Sequence, residues 1–250
     1  MQYHTALHTC TCALAPLSTH RRSVYKASLP QCNTIKKQDK ARRKIAWRPI
    51  SLSLFGSGFV LGPLIDGLHS RVNLVVYQTG SIHIGPLRTD IWVPLLLGLF
   101  YCTVGISQLY LDERTSSNVI PEESLKKTAV SLISLVLFIE LSAELYKSGV
   151  PANIEAYALF AGAEFVWFLA NRTWFGFAVA CLIGLVCPLA EILLMKYFHL
   201  WYYPQANIQI VGEGLVSWTI TCYFVYAFFL INYSRWLKSI FLADDEKDTA

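Results

Sequence analysis

After Pro49 the chain is built from long apolar runs separated by short polar breaks. Six such segments span approximately Ile50–Tyr77, Ile91–Leu111, Leu125–Tyr146, Ile154–Ala170, Trp174–Phe198 and Leu215–Leu237. The second holds twenty-one residues without a charge and closes on Asp112-Glu113-Arg114. At about 1.5 Å per residue, a helical run of that length crosses a hydrocarbon core of roughly 30 Å. The runs are continuous rather than alternating, which favours helices over the strands of a barrel. Lys147–Asn153 and Asn171–Thr173 leave room only for tight turns, so neighbouring helices run antiparallel. Gly56, Gly58, Gly62, Gly98, Gly105, Gly162, Gly176 and Gly184 interrupt the runs with small residues that let helices approach closely. The expected fold is an all-α membrane protein, a compact bundle of six transmembrane helices with both termini on the same side.

Charge adds an orientation. Arg42, Arg43, Lys44, Arg48, Arg114, Lys126, Lys127, Arg172, Arg235 and Lys238 fall on the side of the termini; the opposite side receives Arg88, Lys147 and Lys196. The basic excess marks the terminal side as cytosol or stroma. Residues 1–38 contain no acidic residue, are rich in Ser and Thr, and carry Arg21, Arg22, Lys26, Lys36 and Lys37. That composition reads as an organellar transit peptide, with a disordered basic tail of an endoplasmic-reticulum protein as the alternative. The expected organisation is a leader over 1–45, a membrane domain over 46–240 and an acidic tail over 241–250. A plastid membrane is the favoured location. The basic leader lacks interleaved aromatics, so nucleic acid is not an expected partner. The seven cysteines form no framework; Cys102, Cys181, Cys187 and Cys222 lie singly in apolar runs and read as small core residues.

Ile91-Trp92-Val93-Pro94 leads into a span with Gly98 and Gly105 that leaves through Gln108-Leu109-Tyr110-Leu111-Asp112. Val166-Trp167-Phe168-Leu169-Ala170-Asn171-Arg172 is followed by Gly176-Phe177, and Trp201-Tyr202-Tyr203-Pro204 precedes the last span. In order and spacing, from about Pro49 to Leu237, this resembles the insulin-induced-gene (Insig) family. The resemblance implies a six-helix membrane protein without catalysis and without a cofactor, one that binds a sterol or a diacylglycerol among its helices and regulates another integral membrane protein. It also marks Asp112, Asn171 and Arg172 as partner-facing. Asn171 stands where the animal proteins have an Asp important for regulating Scap. Ile139-Glu140-Leu141-Ser142-Ala143-Glu144 replaces a neutral-to-basic stretch. A Scap-type partner is therefore not carried over.

Ionisable groups inside the runs are the candidate chemistry, because a charge at the bilayer centre costs at least about 2.5–3.5 kcal/mol. Asp66 and His69 share one helix face, as do Glu140 and Glu144. Glu164 sits inside the fourth run and Glu191 late in the fifth. Three readings of Asp66, His69, Glu140, Glu144 and Glu164 compete. They are interhelical hydrogen bonds and ion pairs, with Asp66 paired to His69 or Arg71; or they line a polar pocket for a lipid headgroup; or Asp66, His69, Glu140 and Glu144 form a metal or proton site of a transporter or membrane enzyme. An assembly factor for a plastid membrane complex is a further reading of the whole chain.

Overall fold

A computed structural model describes residues 47–115, apart from 79 and 86, and residues 125–248. The leader 1–45, and side chains from 243 onward in the acidic tail, lie outside the described residues. Six helices carry the chain: α1 (Trp47–Ser70), α2 (Val93–Thr115), α3 (Leu125–Lys147), α4 (Ala152–Ala170), α5 (Trp174–Phe198) and α6 (Trp218–Asp248).

Four of them, α1, α2, α3 and α5, are long and apolar enough to cross a membrane. The sequence places α4 and α6 in the same class, and their composition explains the difference. Glu155 and Glu164 interrupt α4, and Tyr, Trp, Asn and Arg side chains dilute α6. In α6 the dilution has a structural reason. This helix packs on all five others, and Val225, Ala227, Phe228, Phe229, Leu230 and Ile231 are buried around its whole circumference. A helix surrounded by protein has no face that must match lipid. The outer helices instead expose large apolar groups, among them Leu52, Leu137, Phe165 and Leu182, all at least 60% exposed. Such a coat is stable against hydrocarbon and not against water.

The closest helix packing joins α1 to α2. A Cβ added at Gly58 would lie 2.5 Å from the carbonyl oxygen of Leu97, and one at Gly62 would lie 2.6 Å from Leu97 Cβ. Gly58-x-x-x-Gly62 thus forms a groove that seats the α2 backbone. Gly105 does the same for Leu54 in return.

The long connections 71–92 and 199–217 lie at one end of the bundle and fold into short antiparallel ribbons. Within the first are β1 (Val76–Tyr77), β2 (Ser81–Ile84) and β3 (Leu87–Asp90); within the second are β4 (Trp201–Tyr202), β5 (Ile208–Ile210) and β6 (Glu213–Leu215). β2 pairs with β3 and β5 with β6. β1 pairs with β4 in the register Val76↔Tyr202 and Tyr77↔Trp201. That pairing ties the α1–α2 connection to the α5–α6 connection. Strands of two to four residues are too short to show an alternating pattern, so the sequence assigns Tyr77 to the first helical run. The helix in fact stops at Ser70, where Leu74 N–H bonds back to the His69 carbonyl and Asn73 takes a positive φ of 58°. Leu74 and Val75 then fold back into the core.

Candidate functional site

A cavity of about 180 Å³ lies beneath the β1–β4 ribbon, between α2 and α5. Both helices pack on α6 and scarcely touch each other, which leaves the gap. Its outer walls are apolar, with Leu96 and Phe100 from α2 and Cys187 and Leu194 from α5. Its inner end is polar, formed by Asp66, Tyr77, Glu191, Tyr203 and Tyr223. A smaller recess of about 60 Å³ shares Asp66, Glu191, Tyr203 and Tyr223 and continues to His69, Trp218, Thr219 and Tyr226.

Each polar group reaches this place by a local rule. Asp66 and His69 are one helical turn apart near the end of α1. Tyr223 and Tyr226 are likewise one turn apart on α6. The two ribbon strands deliver Tyr77 and, one residue past β4, Tyr203. Tyr77 donates its hydroxyl proton to Asp66. Glu191 accepts from both Tyr203, at 2.6 Å, and Tyr223, at 2.5 Å. Burial, followed by the charge of Asp66, pushes the Tyr77 hydroxyl well above its ordinary pKa. Burial followed by Glu191 does the same for Tyr203. Both stay protonated at neutral pH and act as donors.

His69 is turned to another partner. Its Nε2 lies 2.6 Å from Ser142 Oγ on α3, and its ring packs on Trp218 at 4.8 Å between centroids. Ser142 sends its own proton to the Ile139 carbonyl at 2.7 Å, so the His69 Nε2–H is the donor to Ser142. The expected pairing of Asp66 with His69 or Arg71 is therefore not formed. The helix places Asp66 and His69 on one side, but Tyr77 and Ser142 are the nearer complements.

Glu140 and Glu144 do not join the cavity. Arg71 pairs with Glu140, and its Nη2 lies 3.7 Å from Glu144; Lys147 adds a contact to Glu144 at 3.6 Å. Arg71 lies just past the end of α1, beside the end of α3, and draws both carboxylates outward. Asp66, His69, Glu140 and Glu144 thus do not converge on a common point, as the metal reading requires. Glu164 lies on the exposed face of α4, away from the cavity.

The expected partner-facing residues also make contacts within the chain. Asp112 receives two hydrogen bonds of 2.7 Å from Arg235, one from Nε and one from Nη2, and a third of 2.7 Å from Gln108. The clamp joins the end of α2 to α6. Asn171 ends α4 and accepts the Thr173 backbone N–H at 3.2 Å, while Thr173 caps α5 by accepting from Gly176 N–H at 3.1 Å. Arg172 folds back on Phe168, bonding its carbonyl at 2.6 Å with the guanidinium 4.2 Å from the ring centre. It remains exposed, so its outer side is open to a partner.

The site therefore retains Asp66 and His69 from the sequence-based set and adds Glu191, Tyr77, Tyr203 and Tyr223. Glu191 is visible in the sequence as an intramembrane acid. The tyrosines carry no signal: Tyr77 and Tyr203 depend on a ribbon pairing between residues more than one hundred positions apart, and Tyr223 depends on α6 packing against α5.

No protein-family model and no curated protein sequence matches the chain. Its architecture does match solved structures. A mycobacterial Insig homolog, MvINS from Mycobacterium vanbaalenii, superimposes with a TM-score of 0.60 at 17% identity, covering 75% of this chain and 93% of that one. A cross-linked trimer of MvINS gives a TM-score of 0.61 at 17% identity, over 76% and 94% of the two chains. The fold is thus Insig-like, and its four long apolar helices are those of an integral membrane protein. The sequence resemblance leads to the same fold.

Proposed function

We propose that this protein binds a single lipid, of diacylglycerol or sterol type, in the cavity between α2 and α5, and that occupancy regulates or scaffolds another integral membrane protein. The observation that carries the reading is the cavity itself, lined by apolar groups of α2 and α5 and by the polar cluster of Asp66, Tyr77, Glu191, Tyr203 and Tyr223. That is the shape a lipid with a small polar head requires. The β1–β4 ribbon lies over the head, so a bound lipid would order the surface that a partner meets. The leader supports a plastid membrane as the location, with the endoplasmic reticulum as the alternative.

Native mass spectrometry of the gently solubilised full chain tests lipid binding. Protein carrying one lipid mass is expected, and Leu96→Trp or Cys187→Trp, which plug the cavity from opposite walls, should remove it. Lipid retained at full stoichiometry in both plugged variants would overturn the site. A carboxy-terminal fluorescent fusion tests the location, for which labelling of the endoplasmic reticulum would refute the plastid assignment.

A further inference from the structure

The carboxylates elsewhere in the helices show what the cavity lacks. Asp112 is met by Arg235, and Glu140 and Glu144 by Arg71. Asp66 and Glu191 also lie within helices, yet among the described residues neither forms an ion pair. They face one cavity, and no Lys or Arg lines it. Two acids held together without a cation are costly in a medium of low dielectric.

Hydrogen-bond capacity points the same way. Each carboxylate offers about four acceptor positions. Asp66 uses one for Tyr77, and Glu191 uses two for Tyr203 and Tyr223. The three tyrosine protons are thereby committed, and acceptor positions remain on both acids. Thr219, 3% exposed, also lines the recess; it lies beside Tyr203, but its Oγ1 makes no hydrogen bond of adequate geometry. Aromatic faces complete the lining, with Phe100 and Trp201 beside the tyrosines. Acceptors and aromatic rings, with no Lys or Arg among them, are the complement of an ammonium group. They oppose a phosphate or carboxylate.

We propose that the cavity selects an amphiphile with a free amine and no phosphate, a long-chain amino alcohol, whose ammonium group sits between Asp66 and Glu191. Its hydroxyl meets Thr219, and its chain leaves along Leu96 and Leu194. This rests on the cavity being a lipid site and puts an amine in place of the diacylglycerol or sterol head.

The test is competition on full-length protein in neutral detergent, with three probes of matched chain length: sphingosine, 1,2-diacylglycerol and phosphatidic acid. Sphingosine should bind about tenfold or more tightly than diacylglycerol, with phosphatidic acid weakest. Asp66→Asn and Glu191→Gln should each weaken sphingosine binding about tenfold or more and bring its affinity down to that of diacylglycerol. Equal binding of sphingosine and diacylglycerol, or a preference for sphingosine that survives both substitutions, overturns the amine assignment while leaving a lipid site in place. Binding of all three probes unaffected by Leu96→Trp overturns the site itself. Circular dichroism and elution as a single species confirm that each variant is folded.

Discussion

The two ends of the bundle treat their helix-borne acids in opposite ways. Where α2 ends, Asp112 sits in a clamp with two bonds from Arg235 and one from Gln108, which holds α2 to α6. Beneath the ribbons, Asp66 and Glu191 are held, among the described residues, by tyrosine hydroxyls, and they border a cavity. A closed ion pair stabilises, whereas acids that border a cavity without a facing cation keep acceptor positions free to bind. Burial alone does not separate these roles; the kind of partner does.

The largest effect expected is from Arg235→Ala. It strands Asp112 with most of its surroundings intact and should cost about 3–5 kcal/mol, read as a marked fall in thermal stability in detergent. Arg235→Ala combined with Asp112→Ala should recover much of that loss, since no lone charge remains. A double variant as unstable as the single one would show that Arg235 acts through packing instead.

Smaller losses should follow at the ribbon end. Tyr203→Phe or Tyr223→Phe removes one charge-assisted bond to Glu191 and should cost about 1.5–3 kcal/mol. Asp66→Asn keeps a hydrogen-bonding side chain of the same shape, and should shift stability by less than about 1 kcal/mol while changing ligand binding. A collapse of expression for Asp66→Asn would instead make it structural, and erase the contrast with Asp112. Alkali supplies an independent probe. The raised Tyr77 and Tyr203 hydroxyls hold protons that the unfolded chain releases near pH 10. Their neutral state therefore contributes stability fully below that pH and progressively less above it. Tyr77→Phe should flatten the alkaline limb of a stability–pH curve. The smallest effect belongs to Arg71→Ala. Arg71 and its glutamate partners are one-third to one-half exposed, so about 0–1 kcal/mol is expected from the same thermal measurement.

Much of the fold was legible before the structure. Continuous apolar runs define α1 to α5 because the bilayer demands length and apolarity from a lipid-facing helix, and the Asn171–Thr173 break sets the α4–α5 turn at the observed place. Gly58 and Gly62 foretell close packing, because only a residue without a Cβ lets a neighbouring backbone approach so near. What remained hidden depends on groups distant in sequence. The central position of α6 stayed hidden, since the Tyr, Trp, Asn and Arg side chains that dilute its sequence do not by themselves say which helices surround it. Which acid is clamped and which lines a cavity follows from where Arg71, Arg235 and the ribbon tyrosines arrive. The sequence by itself determined that the chain is a helical membrane protein with acids inside it. The tertiary structure decided their partners, because a single arginine or tyrosine at hydrogen-bond distance settles what a buried carboxylate does, and only the assembled bundle brings them together.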